Sequence, residues 1–78
     1  MTTKTKVLRI LSKIQPDFDF SQDLNFIEEG MIDSFDMINL VTELDEEFGI
    51  SIDGVDIIPE NFSTINAIVL LLNKSGID

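Results

Sequence analysis

The sequence predicts a small all-α protein, a bundle of three to four helices with a long loop after the first helix. Three segments carry apolar residues at the spacing of one helix face, and no segment has a convincing strand pattern. With 78 residues and a hydrophobic content of 44%, the chain can build one apolar core. We therefore expect a single domain over residues 1–78.

The first helix is predicted over residues 4–14 and ends before Pro16. Its apolar face consists of Val7, Leu8, Leu11 and Ile14. The segment that follows is rich in Asp, Ser and Asn, which favours a long ordered loop. The loop residues expected to insert into the core are Phe18, Phe20, Leu24, Phe26 or Ile27.

The second helix is predicted from Ser34 to Phe48, and Gly49 ends it because glycine adopts the left-handed conformation of a helix C-terminus. Its apolar face is expected to consist of Ile38, Val41, Leu44 and Phe48, with Leu40 beside them. Residues 50–52 form a short extended link. The stretch "DGVDII" before Pro59 indicates a turn that includes one helical turn.

Ser63 is expected to cap the last helix, which runs from Thr64 to about Lys74 and is followed by Gly76. The apolar residues of this helix are Ile65, Ile68, Val69, Leu71 and Leu72. The residues expected to lie in the core also include Phe26, Ile52 and Phe62.

Charge is distributed unevenly along the chain, whose net charge is −10. Residues 17–73 contain fourteen acids and no base. Such a surface excludes nucleic acid as a partner and favours partners with basic patches. Because like charges repel each other in the folded state, we expect added salt or divalent cations to stabilise the fold.

Neither a signal peptide nor a membrane span is expected. The N-terminal "MTTKTKVLRILSKI" has charges between its apolar residues, and no apolar run approaches the roughly 18 to 20 residues of a span. The chain also lacks cysteine, which small secreted domains usually carry as disulfides. We therefore expect a cytoplasmic protein, and we expect it to be a monomer.

Ser34 stands at the predicted start of the second helix, where a serine most often serves as the N-cap. Asp33 is at least as good a cap, and with Asp36 it would form a variant of the reciprocal capping box. If Asp33 is the cap, Ser34 is the first helical residue. Its hydroxyl then points outward without a structural role.

A catalytic role for Ser34 would need a neighbouring base. The chain has no histidine, and every lysine lies outside residues 17–73, so the sequence predicts no catalytic residue and no enzyme activity. No metal site is expected either. Ser34 is then a residue that another enzyme modifies. A phosphate-containing group would be stabilised at the helix N-terminus by about 0.3 to 1 kcal/mol.

The stretch "GMIDSFDMINLVTELDEEFGI" resembles the signature of acyl carrier proteins and peptidyl carrier domains. In that signature a Gly precedes an Asp-Ser-hydrophobic triplet, which opens a helix with an "L-V-x-x-L-x-x-x-F" face. The resemblance to these carriers extends to the rest of the chain. It includes the first helix, the long loop, the Pro59 region and the closing helix after "PENFSTI". A lone Asp-Ser pair would be unspecific, but this combination over nearly the whole chain is specific.

The resemblance implies that Ser34 accepts 4'-phosphopantetheine from coenzyme A through a phosphopantetheinyl transferase, with Asp33 as the motif residue before it. The terminal thiol would carry an acyl or aminoacyl group as a thioester. Further partners would be an acyl- or aminoacyl-loading ligase and downstream synthase enzymes of fatty-acid, polyketide, nonribosomal-peptide or related biosynthesis. Bulky Phe62 and Ile68 in the core favour a small or exposed cargo.

The resemblance also implies that basic patches of partner enzymes dock on the second helix. The docking residues are expected to be Asp33, Phe35, Asp36, Asn39, Thr42 and Glu46. Phe35 replaces the usual leucine, and Asn39 and Thr42 stand where fatty-acid carriers usually have an acid and a methionine. "GMIDS" and "PENFSTI" are more similar to the carriers of amino-acid and polyketide assembly lines or of D-alanine transfer. The alternative is that the acids simply form a solvated face.

Two other classes of protein compete with the carrier interpretation. The loop from Asp17 to Glu28 has oxygen-bearing side chains at positions 1, 3, 5, 7, 9 and 12, as an EF-hand calcium loop does. However, Gln22 stands where the sharp turn of an EF-hand needs Gly, and the exiting helix would run into Gly30. The other alternative is an acidic helical adaptor without covalent modification.

Overall fold

The computed structural model describes residues 2–22 and 24–77, which form a four-helix bundle. The helices are α1 (Thr3–Ile14), α2 (Ser34–Phe48), α3 (Pro59–Phe62) and α4 (Ile65–Lys74), and a 3₁₀ turn at Gly54–Asp56 precedes α3. The described residues contain no strand. Helix α1 packs on α2 and α4, and the short α3 packs on α4 and α2. The predicted all-α class, with its long loop between α1 and α2, is confirmed.

Each of the three longer helices is preceded by an N-cap residue whose side-chain oxygen accepts a backbone N–H of the first turn. The hydroxyl of Thr2 accepts the N–H of Thr5 at 3.2 Å, and the hydroxyl of Thr64 accepts the N–H of Ala67 at 3.0 Å. The expected cap at Ser63 was wrong by one position. Ser63 is the C-cap residue of α3 and donates its hydroxyl to the Glu60 carbonyl, whereas Thr64 has the extended backbone that an N-cap requires.

The core lies between the helices and receives side chains from the loops as well. Phe26, Ile52, Phe62 and Ile68 are buried, as the sequence predicted. The longer helices contribute to the core mainly through Val7, Ile10, Leu11, Met37, Leu40, Val41, Leu44, Ile65, Ile68, Leu71 and Leu72. None of the described helices is long and apolar enough to cross a membrane.

The loop between α1 and α2 is held to the core by two phenylalanines. Phe20 and Phe26 are buried, and their rings meet edge to face with centroids 5.0 Å apart. Phe18 was expected in the core but is 41% exposed. Its ring lies outside the core and meets the Phe20 ring edge to face, with the centroids 6.4 Å apart. Leu24 and Ile27 are partly buried against the core. The alternation of apolar and polar residues at 18–20 does not show whether Phe18 or Phe20 is the buried ring.

The buried face of α2 is rotated from the predicted one. Ile38 was assigned to the core but is 61% exposed, whereas Met37 is buried. Positions 37, 40, 41 and 44 follow the i, i+3, i+4, i+7 spacing of one helix stripe. The sequence carries apolar residues at both 37 and 38, and only the packing against the other helices selects between them.

Candidate functional site

The segment before Ser34 is anchored to the core and delivers Ser34 to the surface. Gly30 has a φ of 72°, a backbone conformation that favours glycine. The next two side chains, of Met31 and Ile32, are buried, and their N–H groups donate to the carbonyl of Phe26 at 2.8 and 3.2 Å. After these two buried residues the chain emerges, so that Ser34 is exposed.

The N-terminus of α2 is capped by Asp33, as the sequence predicted. Asp33 Oδ1 accepts the N–H of Asp36 at 2.8 Å, and Asp36 Oδ2 accepts the N–H of Asp33 at 3.4 Å. The two aspartates therefore form a reciprocal capping box, with Asp36 in the place where Glu or Gln is more common. Ser34 is the first residue of the helix and is not needed as a cap.

The Ser34 side chain makes no hydrogen bond to any described residue. The N–H groups of Ser34 and Phe35 likewise have no acceptor among the described residues, as is usual for the first turn of a helix. An exposed hydroxyl therefore lies beside two unpaired donors at the positive end of the helix dipole. This arrangement suits a covalently attached phosphate, whose oxygens are acceptors.

The lysines on either side of α2 in the sequence, Lys13 and Lys74, are engaged away from Ser34. Lys13 Nζ lies 3.0 Å from Glu43 Oε2, further along α2, and Lys74 Nζ lies 3.2 Å from Asp56 Oδ1. Neither lysine contacts Ser34 in the described structure, and the chain has no histidine. The described residues thus place no amine or imidazole base at the Ser34 hydroxyl.

The exposed face of α2 carries most of the predicted docking residues. Phe35 is 73% exposed, and Asn39, Thr42 and Glu46 are exposed along the same side of the helix. Ile38, which the sequence analysis assigned to the core, belongs to this exposed surface as well. The exposure of Ile38 could have been inferred only by assigning Met37, in place of Ile38, to the buried stripe of the helix.

The acids of α2 differ in their surroundings. Glu43 forms an ion pair with Lys13 of α1. Asp36 is half-buried and accepts a hydrogen bond from Gln15 at 2.7 Å. Glu46 is exposed and has no ion pair among the described residues. Glu47 is likewise exposed and has no ion pair among the described residues, so the acids of α2 that keep their full charge include Glu46, Glu47 and those of its first turn.

The loop that resembles an EF-hand does not form one in the described structure. Asp19 accepts hydrogen bonds from the hydroxyl and the N–H of Ser21, and these bonds lower the pKa of the Asp19 carboxyl. Residues 26–30 form turns, not a helix, where the exiting helix would begin. No cluster of three acidic or other metal-binding side chains occurs among the described residues, and Asp23 lies outside them. These observations give no support to a calcium loop.

The comparison with known protein families gives one finding for this chain. The model of a family described as "Phosphopantetheine attachment site" matches residues 4–72. The match begins in α1 and extends into α4, so it includes the long loop, the capping box and Ser34.

Proposed function

The chain belongs to the phosphopantetheine attachment site family, whose members are carrier domains with a 4'-phosphopantetheine group, and from this premise we propose that Ser34 receives that group from coenzyme A. The observation that carries the proposal is the division of roles at the start of α2. Asp33 caps the helix, which leaves the Ser34 hydroxyl exposed and without a hydrogen bond to the described residues.

The residues around Ser34 fit an attached phosphodiester. The unpaired N–H groups of Ser34 and Phe35 can donate to its oxygens, and the helix dipole favours its negative charge. In the attachment reaction Ser34 Oγ forms the new bond to phosphorus, the pyrophosphate bond of coenzyme A breaks, and adenosine bisphosphate leaves. The proton of the hydroxyl passes to a base of a phosphopantetheinyl transferase, because this chain provides none.

The attached group supplies a terminal thiol that can hold an acyl or aminoacyl group as a thioester, a function that a cysteine-free chain cannot perform itself. We place the protein in fatty-acid, polyketide, nonribosomal-peptide or related biosynthesis. Asn39 and Thr42 stand where fatty-acid carriers usually have an acid and a methionine, which favours partner enzymes other than those of general fatty-acid synthesis. The stretches "GMIDS" and "PENFSTI" favour the carriers of amino-acid or polyketide assembly or of D-alanine transfer.

Partner enzymes dock on the exposed face of α2 in this proposal. The docking surface consists of Asp33, Phe35, Asp36, Ile38, Asn39, Thr42 and Glu46. It combines two exposed apolar side chains, Phe35 and Ile38, with carboxylates that attract basic patches. The partners are the transferase, a loading ligase that attaches the acyl or aminoacyl group, and the synthase enzymes that use it.

The packing of the core supports a small or exposed cargo. Phe62 and Ile68 are fully buried. Three surface clefts lined by described residues have volumes of about 660, 310 and 200 Å³, and neither Phe62 nor Ile68 borders any of these three. A long acyl chain would have to displace well-packed side chains, which is costly in a close-packed core.

Intact-mass spectrometry tests the attachment site. After incubation with coenzyme A and a transferase, the wild-type chain should gain the mass of one phosphopantetheinyl group, and Ser34→Ala should gain none. Ser12→Ala is the matched control, because Ser12 is also an exposed helical serine. Modification of Ser34→Ala, or a wild-type chain that stays unmodified beside an active transferase, would contradict the proposal.

The docking surface is tested by charge reversal at Glu46. Glu46→Lys should slow modification by the transferase markedly, with a smaller effect at high salt, because it places a cation where the basic patch of the enzyme approaches. Glu60→Lys makes the same charge change at an exposed acid outside α2 and should have little effect. Equal rates for the two variants would remove the docking role of Glu46.

A further inference from the structure

Gln15 joins the end of α1 to the first turn of α2. It is the residue at which α1 ends, and its N–H still donates to the Leu11 carbonyl at 2.9 Å. Pro16 follows and disfavours the helical conformation at Gln15, whose φ and ψ are −132° and 81°. The carbonyl of Gln15 accepts the N–H of Phe18 at 3.3 Å. The backbone of Gln15 is therefore held on both sides of the helix end.

The side chain of Gln15 reaches across to the capping box. Its Nε2 donates to Asp36 Oδ2 at 2.7 Å, and this same oxygen accepts the N–H of Asp33 at 3.4 Å. Both Gln15 and Asp36 are half-buried. Asp36 is thus held from two directions, by its own helix turn and by the neighbouring helix, immediately beside Ser34.

The two hydrogen-bonded carboxylates of α2 that face α1 have chemically different partners. Glu43 is paired with the cation of Lys13, which cancels its charge, whereas Asp36 is held by a neutral amide, which leaves its charge in place. A neutral donor can orient a carboxylate without removing the negative field that a basic enzyme recognises. Asp36 thus keeps its charge and has a defined orientation.

We propose that Gln15 is a positioning residue for the modification of Ser34, because its amide fixes the Asp36 carboxylate and with it the capping box that presents the Ser34 hydroxyl. This inference rests on the proposed attachment at Ser34. It assigns a function in the transferase reaction to a residue of α1, outside both the Asp-Ser motif and the docking surface on α2.

The test compares Gln15→Met and Gln15→Glu with the wild-type chain. Gln15→Met retains the length of the side chain and the net charge but removes the donor. Gln15→Glu places a second carboxylate against Asp36. In both variants kcat of modification at saturating coenzyme A should fall by about tenfold, because displacement of a reacting group costs rate steeply. For Gln15→Met, KM for the carrier should stay nearly unchanged, because the docking charges are intact.

Asn61→Leu is the matched control. Asn61 is also a half-buried amide, and its Nδ2 donates to the Asp56 carbonyl at 2.8 Å, at the 3₁₀ turn and away from α2 in sequence. This variant loses a similar hydrogen bond, so it reports the effect of general destabilisation. Its kcat should remain close to that of the wild-type chain at a temperature where all the variants are folded.

Amide hydrogen exchange on the unmodified protein gives a readout that does not depend on the transferase. In Gln15→Met the N–H groups of Asp33 and Asp36 should exchange faster, while the N–H of Ala67, held by the Thr64 cap, should exchange as in the wild type. Faster exchange at the capping box together with a selective loss of kcat would support the proposal.

The possible failures are distinguishable. If the wild-type chain never gains the group, the attachment proposal fails and the role of Gln15 fails with it. If the wild-type chain is modified but Gln15→Met has the wild-type kcat, or loses no more than Asn61→Leu, only the role of Gln15 is wrong. Unchanged exchange at Asp33 and Asp36 would likewise overturn it.

Discussion

Ser34, Asp33 and Asp36 occupy one helical turn but differ in what their side chains contact. Asp33 accepts an N–H of its own helix, Asp36 is shared between the capping box and Gln15, and the Ser34 side chain makes no hydrogen bond to a described residue. The free energy of folding should therefore depend on the two aspartates and hardly on the serine. That separation allows a group to be attached at Ser34 without changing the helix that presents it.

Asp33→Ala should lower the free energy of unfolding by about 1 kcal/mol, because it removes the cap of α2. Asp53→Ala is the control, since Asp53 precedes the 3₁₀ turn but makes no side-chain cap hydrogen bond. Urea denaturation measures both variants. A loss at Asp53 as large as that at Asp33 would argue against a specific capping role.

Ser34→Ala should change the free energy of unfolding by less than about 0.5 kcal/mol, because the serine is exposed and alanine is a good helix former. Thermal and urea unfolding of the variant would check this. The result matters for the mass experiment, since a folded Ser34→Ala chain that gains no group has lost the attachment site alone. A large loss of stability would show that the hydroxyl has a structural contact.

At the scale of the element, α2 has two apolar surfaces with different roles. Met37, Leu40, Val41 and Leu44 face the core, while Phe35 and Ile38 are exposed beside the carboxylates. Exposed large apolar side chains next to charges are typical of a binding surface. The helix thus holds the bundle together with one face, and in the proposed function the other face receives partner enzymes.

The two apolar surfaces should respond differently to truncation. Leu40→Ala should lower the free energy of unfolding by about 2 to 5 kcal/mol, because Leu40 is fully buried. Ile38→Ala should lower it by less than about 0.5 kcal/mol, and its main effect should be weaker binding to the transferase. Denaturation and binding measurements on both variants would check this. Comparable losses of stability would place Ile38 in the core.

At the scale of the whole molecule, α1 carries Lys4, Lys6, Arg9 and Lys13, while residues 17–73 carry fourteen acids. The packing of α1 on α2 brings Lys13 to Glu43, but this pair is exposed and contributes little to stability. The described bundle measures only 28 × 28 × 18 Å, so the remaining acids repel one another over short distances.

The melting temperature should rise when the salt concentration is raised from about 0.01 M to about 0.15 M, because the Debye length falls from about 30 Å to about 8 Å and screens this repulsion. A variant with both Glu28→Lys and Glu60→Lys has less net charge and should show a smaller rise. Calorimetry would measure both. A melting temperature of the wild type that does not depend on salt would contradict the prediction.

The sequence by itself determined the bounds of the three longer helices to within one residue, the Asp33 cap with its Asp36 partner and the outward position of Ser34, but not the short α3 at Pro59–Phe62. These features depend on groups within one or two helical turns, so local spacing and capping chemistry suffice to predict them. Local reasoning failed where two neighbouring residues suit the same role almost equally well. The cap of α4, for example, is Thr64 and not Ser63.

Only the tertiary structure decided which of Met37 and Ile38 is buried, that Phe18 stays outside, that Lys13 neutralises Glu43 and that Gln15 holds Asp36. Each of these outcomes depends on side chains brought together by packing, whose partners lie far apart in the chain or on another helix. A hydrogen bond between residues 15 and 36 has no periodic signature, because it exists only once α1 and α2 are packed side by side.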